Sequence, residues 1–517
     1  MNIEALISLA GYFVLMLAIG LYAYRKSTSD SAGYLLGGRQ LGPAVGALSA
    51  GASDMSGWIL LGLPGAIFVA GLSEAWIAVG LVVGAFFNYL LVAPRLRVYT
   101  EQADDAITIP DFFEKRFDDQ SRLLRVLSSV VIILFFTVYT SSGVVAGGKL
   151  FEASFGLSYH LGLFLTIGVV IAYTVFGGFL AVSLTDFVQG LIMFIALILV
   201  PVVTINVLGG WGETSAILIA DNPARLSFTS AALADGAAKP VSLVALMSLL
   251  AWGLGYFGQP HIIVRFMAIR SLKDVATARL IGMGWMIVSV AGAVAVGLAG
   301  FAYVSTNPDA IASYMREQGS GAVFDPETVF IVLGQVLFHP LIAGFLLAAI
   351  LAAIMSTISS QLLVSSSSLT EDIYRIFVKR GASEQELVLV GRLSVLAVSL
   401  VAVALAFDRS SNILDLVSNA WFGFGSAFGP VILLSLFWSR MTALGALIGM
   451  VTGAAVVLLW VYGPAAILGD LRSDVAAIIP GFALSTLGIV VGSVVSRMPS
   501  DAITRRHAAV GATVRAG

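Results

Sequence analysis

ALSAGASDMSGWILLGLPG, residues 47 to 65, places a single ionisable side chain, Asp54, in a segment that is otherwise apolar or small. A carboxylate near the middle of a membrane is costly unless it is paired, so such a residue is expected to be functional. The glycines at 51, 57, 62 and 65 and Pro64 tolerate an interrupted helix, which frees backbone groups to bind an ion or a polar ligand. The segment therefore predicts a broken membrane helix. The alternative is a kinked structural helix with Asp54 in a local polar network.

The composition places this segment in a membrane protein. Of the 517 residues, 58% are hydrophobic and only 11% are charged, whereas about a quarter of the residues of a soluble protein are charged. The net charge of −2 and the lack of a basic tract give no support for a nucleic-acid partner, and the absence of cysteine excludes disulfides and thiol catalysis. The first apolar run, residues 3 to 24, has no basic segment before it, so we expect a retained span and not a signal peptide.

Runs of about 20 apolar residues predict an all-α polytopic protein with about thirteen transmembrane helices. The long ninth run combines an amphipathic entry with an apolar core. We expect a single membrane transport domain over residues 1–517, because the hydrophilic stretches are too short to fold separately. The predicted spans are residues 3–24, 42–69, 72–93, 122–150, 158–180, 184–208, 240–259, 276–304, 327–369, 387–406, 411–437, 442–462 and 474–496.

The distribution of basic residues predicts the orientation of these spans, because basic loops stay on the cytoplasmic side. With the N-terminus outside, most Lys and Arg residues, including Arg39 and Arg265, fall in cytoplasmic loops or the C-terminal tail. This arrangement predicts a multi-pass protein of the cell (plasma or inner) membrane with a cytoplasmic C-terminus. The basic residues on the opposite side are Lys149, Arg225, Lys239, Arg316, Arg409 and Arg472.

Two further segments share the features of the first. AWGLGYFGQP, residues 251 to 260, has three glycines and a terminal proline, which predicts a second broken helix five spans after the first. That separation is expected for the first helices of two five-helix inverted repeats. AAILAAIMSTISS, residues 348 to 360, offers small residues for close packing and adjacent hydroxyls at Ser356 and Thr357. The four histidines, at 160, 261, 339 and 507, form no ligand cluster in the sequence, and no metal site other than sodium and no catalytic group is predicted.

Three motifs, SAGASDMSGW (49–58), WGLGYFGQP (252–260) and ILAAIMSTISSQLLV (350–364), resemble the solute/sodium symporter family, above all its proline-transporting branch. The resemblance implies a LeuT-like fold, which is a 5+5 inverted repeat with one extra N-terminal and two extra C-terminal helices. The implied division is an extra helix and cytoplasmic loop (1–39), a first repeat (40–208), a second repeat (240–437), two extra helices (438–496) and a cytoplasmic tail (497–517).

The same resemblance implies a sodium site between the first broken helix and the ninth span. Its ligands would be the backbone carbonyls of Ala52, Met55 and Ala353 and the hydroxyls of Ser356 and Thr357. A hard cation prefers oxygen ligands, and neutral ones allow the ion to leave in every cycle. Asp54 would raise the local cation affinity, either as a direct ligand or as a near neighbour.

For the solute, the backbone amides around Ser56 and Gly57 are candidates to receive a carboxylate at a half-helix terminus. Aromatic faces suit a ring and a cation, although packing alone also explains each of these aromatics. Thr185 and Asp186 are candidates for a sodium exit path, with an ordinary interfacial carboxylate as the alternative. Arg39 is a candidate for an inner gate or a simple cytoplasmic anchor. The remaining substrate-site candidates are Trp58, Tyr139, Trp252, Tyr256, Phe257, Gln259 and Pro260.

The function expected from the resemblance is sodium-coupled symport of L-proline by alternating access, with sodium as the coupling ion, no other cofactor and no enzymatic activity. The expected partners are proline, sodium and the lipid bilayer. One alternative is a sodium symporter for another amino acid, a carboxylate, a sugar or a vitamin. A membrane sensor or channel on the same scaffold is a weaker alternative, because no pore-loop filter motif is present.

Overall fold

The structure of the chain is a computed structural model that describes residues 3–26, 31–317, 324–408, 413–464, 469 and 471–516. Arg409, which entered the count of basic residues, lies outside these ranges. The described chain is almost entirely helical, which confirms the predicted fold class. One small antiparallel hairpin, β1 (Ser230–Ala232) paired with β2 (Ala238–Pro240), departs from the all-α prediction.

The helices in chain order are α1 (Ile3–Lys26), α2 (Ser31–Leu36), α3 (Pro43–Asp54), α4 (Leu63–Ala70), α5 (Ala75–Phe87), α6 (Ala93–Gln102), α7 (Ile109–Phe117), α8 (Leu123–Phe155), α9 (Tyr159–Val207), α10 (Trp211–Asp221), α11 (Leu243–Leu250), α12 (Pro260–Ala268), α13 (Leu272–Thr306), α14 (Pro308–Glu317), α15 (Val329–Leu337), α16 (Pro340–Ser367), α17 (Glu384–Leu405), α18 (Ile413–Phe437), α19 (Ala443–Tyr462), α20 (Leu471–Asp474), α21 (Ile478–Val495) and α22 (Asp501–Ala516). Short 3-10 segments lie at Gly37–Arg39, Leu72–Glu74, Pro223–Leu226, Ala251–Gly258 and Pro326–Thr328, and π-helical turns lie at Trp58–Gly62, Asn88–Val92 and Ser368–Val378.

The described residues contain ten helices that are long and apolar enough to cross a membrane, and two bent helix pairs that bring the number to twelve if each pair is one span. The predicted fifth span corresponds to a shorter apolar helix, Tyr159–Val175, so the count of thirteen stays a prediction. The predicted seventh span ends too early, because it continues through α12 to Ala268. The predicted ninth run is two elements: the short helix Pro326–Leu337 and a long span that begins at Pro340.

The sequence explains where several helices begin and where α9 is interrupted. Gly178 divides α9 with φ +58°, and a side chain there would also meet Tyr34 at 2.6 Å, so only glycine fits the bend. Hydroxyl side chains accept a backbone N–H of the first turn and thereby satisfy groups that have no partner within the helix. Such N-caps are Thr108, Ser158, Ser242, Ser271, Ser383 and Thr442.

The centre of the bundle is α16, which packs against α1, α8, α9 and α3. Every residue from Leu346 to Ser367 is buried. Alanines fill much of its middle, and small side chains let neighbouring helices approach closely. This position places the hydroxyl pair of α16 beside the first broken helix.

Backbone contact between α5 and the second broken helix depends on glycine. A Cβ at Gly84 would lie 2.1 Å from the carbonyl oxygen of Gly253, so no side chain fits between these segments. We expect Gly84→Ala to destabilise the protein by about 1–3 kcal/mol, because overpacking forces the backbone to shift. Thermal unfolding of the detergent-solubilised protein measures this loss. Gly168→Ala is the control, because its Cβ would meet nothing within 4 Å; equal melting temperatures for the two variants would contradict the prediction.

The C-terminal tail, which was predicted only as a hydrophilic segment, forms α22 and packs on α6. Asp501 in its first turn and Arg515 in its last turn complement the helix dipole. The ring of His507 lies 6.1 Å from that of Tyr99, and Gln102 donates to the Thr513 hydroxyl at 3.3 Å. The tail is therefore docked on the C-terminal part of α6.

The docking of α22 should depend on pH through His507. Burial, and then the charges of Arg116 and Arg95, lower the pKa of His507 to about 4. Because its ordinary pKa is near 6.5, the stabilising effect of the neutral form is complete above pH 6.5 and is lost as the pH falls towards 4. We expect the protection factors of the α22 amide hydrogens, which are corrected for the intrinsic pH dependence of exchange, to be lower at pH 5 than at pH 7.5. The variant His507→Leu should lose this difference; a wild-type tail with the same protection at both pH values would contradict the prediction.

Candidate functional site

The first predicted break is present and is centred on Met55. Helix α3 ends at Asp54, and the chain bends by 61° before the next helical segment, Trp58–Ala70. Met55 has non-helical backbone angles (φ −82°, ψ 74°), and the Ser56 N–H turns back to donate to the Asp54 carbonyl at 2.9 Å. The Trp58 indole N–H donates to the same carbonyl at 3.3 Å. The break is thus a fixed turn whose polar groups are held inside the protein.

The second predicted break is also present. The 3-10 segment Ala251–Gly258 is followed by α12 with a bend of 45°, and Pro260 occupies the first turn of the new helix. The side-chain amide of Gln259 at the junction donates to the Trp421 carbonyl at 3.1 Å, while its oxygen is buried and has no hydrogen-bond partner among the described residues.

Four of the five predicted sodium ligands lie together where α3 meets α16. The Ser356 hydroxyl is 2.7 Å from the Ala52 carbonyl oxygen and 3.1 Å from that of Ala353. The Thr357 hydroxyl is 3.2 Å from the Ala353 carbonyl. Met55, the fifth, directly follows the end of α3, and its non-helical backbone turns its carbonyl out of the helical direction. These neutral oxygens have the chemistry that a hard monovalent cation requires.

The carboxylate of Asp54 faces α5, α13 and the second broken helix. Its Oδ2 accepts a short hydrogen bond from the Tyr256 hydroxyl, and its Oδ1 is buried without a hydrogen-bond partner among the described residues. No basic side chain forms an ion pair with it in the described ranges. A small cavity of about 20 Å³ lies beside it, lined among others by Asn88, Tyr89, Tyr256, Trp285 and Met286.

The predicted substrate-site residues therefore divide into two groups. Of the predicted substrate-site residues only Tyr256 lines this cavity, together with Asp54 and Met55 of the predicted sodium site. Trp252 packs on Phe422 with ring centres 5.0 Å apart, and Tyr139 on His261 at 6.0 Å. The hydroxyls of Ser56 and Tyr139 are buried without a hydrogen-bond partner in the described part of the chain. The residues that the cavity does not include are Ser56, Gly57, Trp58, Tyr139, Trp252, Phe257, Gln259 and Pro260.

One placement is wrong, because Arg265 lies in α12 and not in a cytoplasmic loop. Asp186, which was placed near the start of the sixth span, lies inside the helical span Gly177–Val207. Both side chains are fully buried and pair through Arg265 Nη2 and Asp186 Oδ2 at 3.2 Å. The Ser49 hydroxyl donates to the same carboxylate oxygen at 2.7 Å, and Ser360 hydrogen-bonds both partners. Thr185 only bonds its own helix, at Ala181 and Val182.

This ion pair lies next to the predicted sodium ligands. Ser360 follows Ser356 by four residues on α16, which is a separation of about 6 Å along a helix. On α3, Ser49 lies three residues before Ala52, which is also about one helical turn. Asp186 and Arg265 therefore join α3, α9, α12 and α16 one helical turn from the predicted ion site. An exit-path role for Asp186 stays a prediction.

Arg39 joins three segments on the side where the basic residues concentrate. Its guanidinium contacts Asp105 at 2.7 Å, the Ala106 carbonyl at 2.7 Å and the Met267 carbonyl at 2.8 Å. Burial lowers the pKa of this guanidinium, while the Asp105 carboxylate opposes the shift. The contacts connect the loop before α3 with the ends of α6 and α12. They favour the gate interpretation of Arg39, which stays a prediction.

Sequence reasoning missed Asn88, Tyr89 and Trp285, which line the cavity beside Asp54. Asn88 carried a usable signal, because it is a polar side chain within the otherwise apolar run 72–93, and such residues are rare in spans. Tyr89 and Trp285 carried none, since aromatic residues are common in apolar helices.

Two broken spans that meet at a buried carboxylate, the first of them packed against the hydroxyls of α16, define a secondary transporter, since interrupted helices are the usual source of midplane binding sites in such proteins. The chain belongs to the sodium:solute symporter family, whose model matches residues 34–453.

Individual relatives agree with this membership. The high-affinity proline transporter PutP of Bacillus subtilis is 57% identical over 489 residues, which are 95% of this chain and 98% of that protein. The sodium/proline symporter of Staphylococcus aureus is 51% identical over 503 residues, covering 96% and 94%. Among solved structures, a sodium-coupled sialic acid symporter in a substrate-bound outward-open state superimposes with a TM-score of 0.79 at 20% identity, covering 96% of this chain and 99% of that one. The last likeness concerns the fold alone.

Proposed function

We propose that this protein carries L-proline into the cell together with sodium by alternating access. The observation that carries the proposal is the contact of the Ser356 hydroxyl with the Ala52 carbonyl, which joins the two elements of the predicted ion site. The names of the relatives above, a proline transporter and a sodium/proline symporter, support the choice of solute and ion.

In this proposal sodium binds the carbonyls of Ala52, Met55 and Ala353 and the hydroxyls of Ser356 and Thr357. The coupling between sodium binding and solute binding has a direct covalent basis. Ala52 lies two residues before Asp54, and both belong to the last turn of α3. An ion that fixes the Ala52 carbonyl against α16 therefore also fixes the position of the Asp54 carboxylate. Asp54 acts as a near neighbour of the ion, and its side chain faces away towards α5 and α13.

Solute recognition combines the cavity beside Asp54 with the polar groups of both breaks. The backbone amides around Ser56 and Gly57 are the proposed hydrogen-bond donors to the solute carboxylate, since they lie at the start of the helical segment Trp58–Ala70 and a helix N-terminus favours an anion. The Tyr256 hydroxyl donates to Asp54, and Tyr89 lines the same cavity. The proposed contacts with the solute ring are these two aromatic side chains, together with Tyr139.

The larger arrangement belongs to the same proposal. Residues 40–208 and 240–437 form the two five-helix repeats, with the N-terminus outside and the C-terminus in the cytoplasm. Release of sodium passes Asp186, and Arg39 closes the cytoplasmic side. The bilayer surrounds the apolar exterior, where side chains such as Leu400 and Val495 are about three-quarters exposed.

Uptake of labelled proline into sealed membrane vesicles tests the proposal. We expect accumulation with an inward sodium gradient and little without it. Accumulation that ignores the gradient contradicts the coupling, and absence of proline uptake contradicts the solute. Competition by a panel of amino acids, carboxylates, sugars and vitamins then separates proline from the alternative solutes.

A further inference from the structure

Two buried oxygen atoms that have no hydrogen-bond partner among the described residues line the same cavity. One is Oδ1 of Asp54, and the other is the side-chain oxygen of Asn88 at the end of α5. Both residues are at most 2% exposed. Buried polar atoms in native proteins are nearly always paired, so two such atoms in one cavity indicate a ligand that supplies donors.

The orientation of both groups is fixed by neighbouring hydrogen bonds. The amide nitrogen of Asn88 donates to the Tyr256 carbonyl at 3.0 Å, which leaves the amide oxygen on the other side of the group. The Tyr256 hydroxyl donates to Oδ2 of Asp54, which leaves Oδ1 free. Tyr256 therefore positions both acceptors through its main chain and its side chain.

The other described residues that line the cavity provide apolar and aromatic surface, and none of them is a Lys or Arg. The indole N–H of Trp285 is already used, because it donates to the Gly190 carbonyl at 2.9 Å, so the ring offers its face. Met286 is an unbranched and flexible side chain that gives way to a bound group. One carboxylate, one amide oxygen and an aromatic face together suit an organic cation with few N–H groups.

We propose that Asp54 and Asn88 bind the ammonium group of the solute and that Asn88 selects secondary amines. A secondary ammonium has two N–H donors, one for each free oxygen, and its charge neutralises Asp54. A primary ammonium would leave a third donor unpaired, and an N-methylated ring would keep only one donor. The cavity of about 20 Å³ is smaller than a five-membered ring, so we infer that Met286 and the neighbouring side chains move apart as the solute enters. This inference rests on the proposed function, because it assumes that the solute is a cyclic amino acid.

Competition with analogues tests the inference on the unmodified protein. N-methylproline lacks one of the two donors, and tetrahydrofuran-2-carboxylate has the ring and carboxylate without any N–H. We expect each to inhibit uptake of labelled proline at least about tenfold more weakly than unlabelled proline does, since sites built for hydrogen bonds discriminate strongly against analogues that lack them. Equal inhibition by either analogue overturns the proposal.

The variant Asn88→Leu tests the role of the residue itself. We expect it to raise the KM for proline at least about tenfold and to reduce the discrimination between proline and N-methylproline, a change that a purely structural role would not produce. Thr204→Val is the matched control, because its buried hydroxyl only bonds the Val200 carbonyl of its own helix. Unchanged discrimination in Asn88→Leu overturns the proposal. If Asn88→Leu does not reach the membrane, the analogue series on the unmodified protein decides.

The experiments distinguish a failure of the proposed function from a failure of the role assigned to Asn88. Absence of sodium-driven proline uptake by the unmodified protein defeats the proposed function. Sodium-driven proline uptake that does not distinguish secondary from N-methylated amines defeats only the assignment of Asn88.

Discussion

Replacing Ser356 by alanine should raise the sodium concentration needed for half-maximal proline uptake by at least about tenfold, which corresponds to about 1.4 kcal/mol of binding free energy. The hydroxyl is one of five proposed ligands, and it also contacts the carbonyls of Ala52 and Ala353 at 2.7 and 3.1 Å. Its loss removes an oxygen from the ion and the tie between α3 and α16. Initial rates of proline uptake, measured over a series of sodium concentrations, give the shift.

Ser399→Ala is the matched control for this change. Ser399 is also buried in a span, α17, but its hydroxyl only bonds the Val395 carbonyl of its own helix at 2.8 Å. We expect this variant to keep the sodium dependence of the unmodified protein. If Ser356→Ala and Ser399→Ala show the same sodium dependence, Ser356 is not a ligand.

The variant Arg265→Gln should lose transport and melt at a markedly lower temperature. Arg265 and Asp186 are both fully buried, and removing one partner leaves an uncompensated charge inside the bundle. Breaking a buried pair in this way costs about 3–5 kcal/mol. Thermal unfolding in detergent measures the loss of stability, and proline uptake normalised to the amount of protein in the membrane measures the loss of transport.

A double variant and a control variant test whether the loss is due to the buried ion pair. The double variant Arg265→Gln/Asp186→Asn removes both charges and should recover much of the lost melting temperature. Arg270→Gln removes an exposed pair with Asp274 at 2.7 Å and should change little, because surface ion pairs contribute about 0–1 kcal/mol. A single variant Arg265→Gln as stable and active as Arg270→Gln would refute the importance of the buried pair.

The breaks in the second and seventh spans were predictable because their causes are local. Clustered glycine and proline weaken a helix through the properties of their own backbone, and the structure bends both spans, by 61° and 45°. The proximity of Ser356 to Ala52, in contrast, followed from the family resemblance, since the two residues are 304 positions apart. Their role as sodium ligands stays a prediction.

Residues whose environment depends on distant packing could not be assigned from the sequence. The prediction placed Arg265 in a loop because it used only the charge of the residue and its position between two predicted spans. The carboxylate that compensates this charge lies 79 residues away in the sequence. The position of Asn88 beside the cavity depends on Asp54 and Tyr256, which are distant in the sequence and lie next to it only in the folded protein. The helix of the tail was missed for the same reason, since its polar sequence is stabilised by contacts with α6.

The coupling of proline transport to sodium can be tested by measuring radioactive sodium and labelled proline as both enter liposomes that contain the purified protein. We expect proline to stimulate sodium entry, sodium to stimulate proline entry, and both effects to disappear together in Ser356→Ala at low sodium. Proline entry at an undiminished rate without sodium, or sodium entry that proline does not change, would contradict sodium-coupled transport.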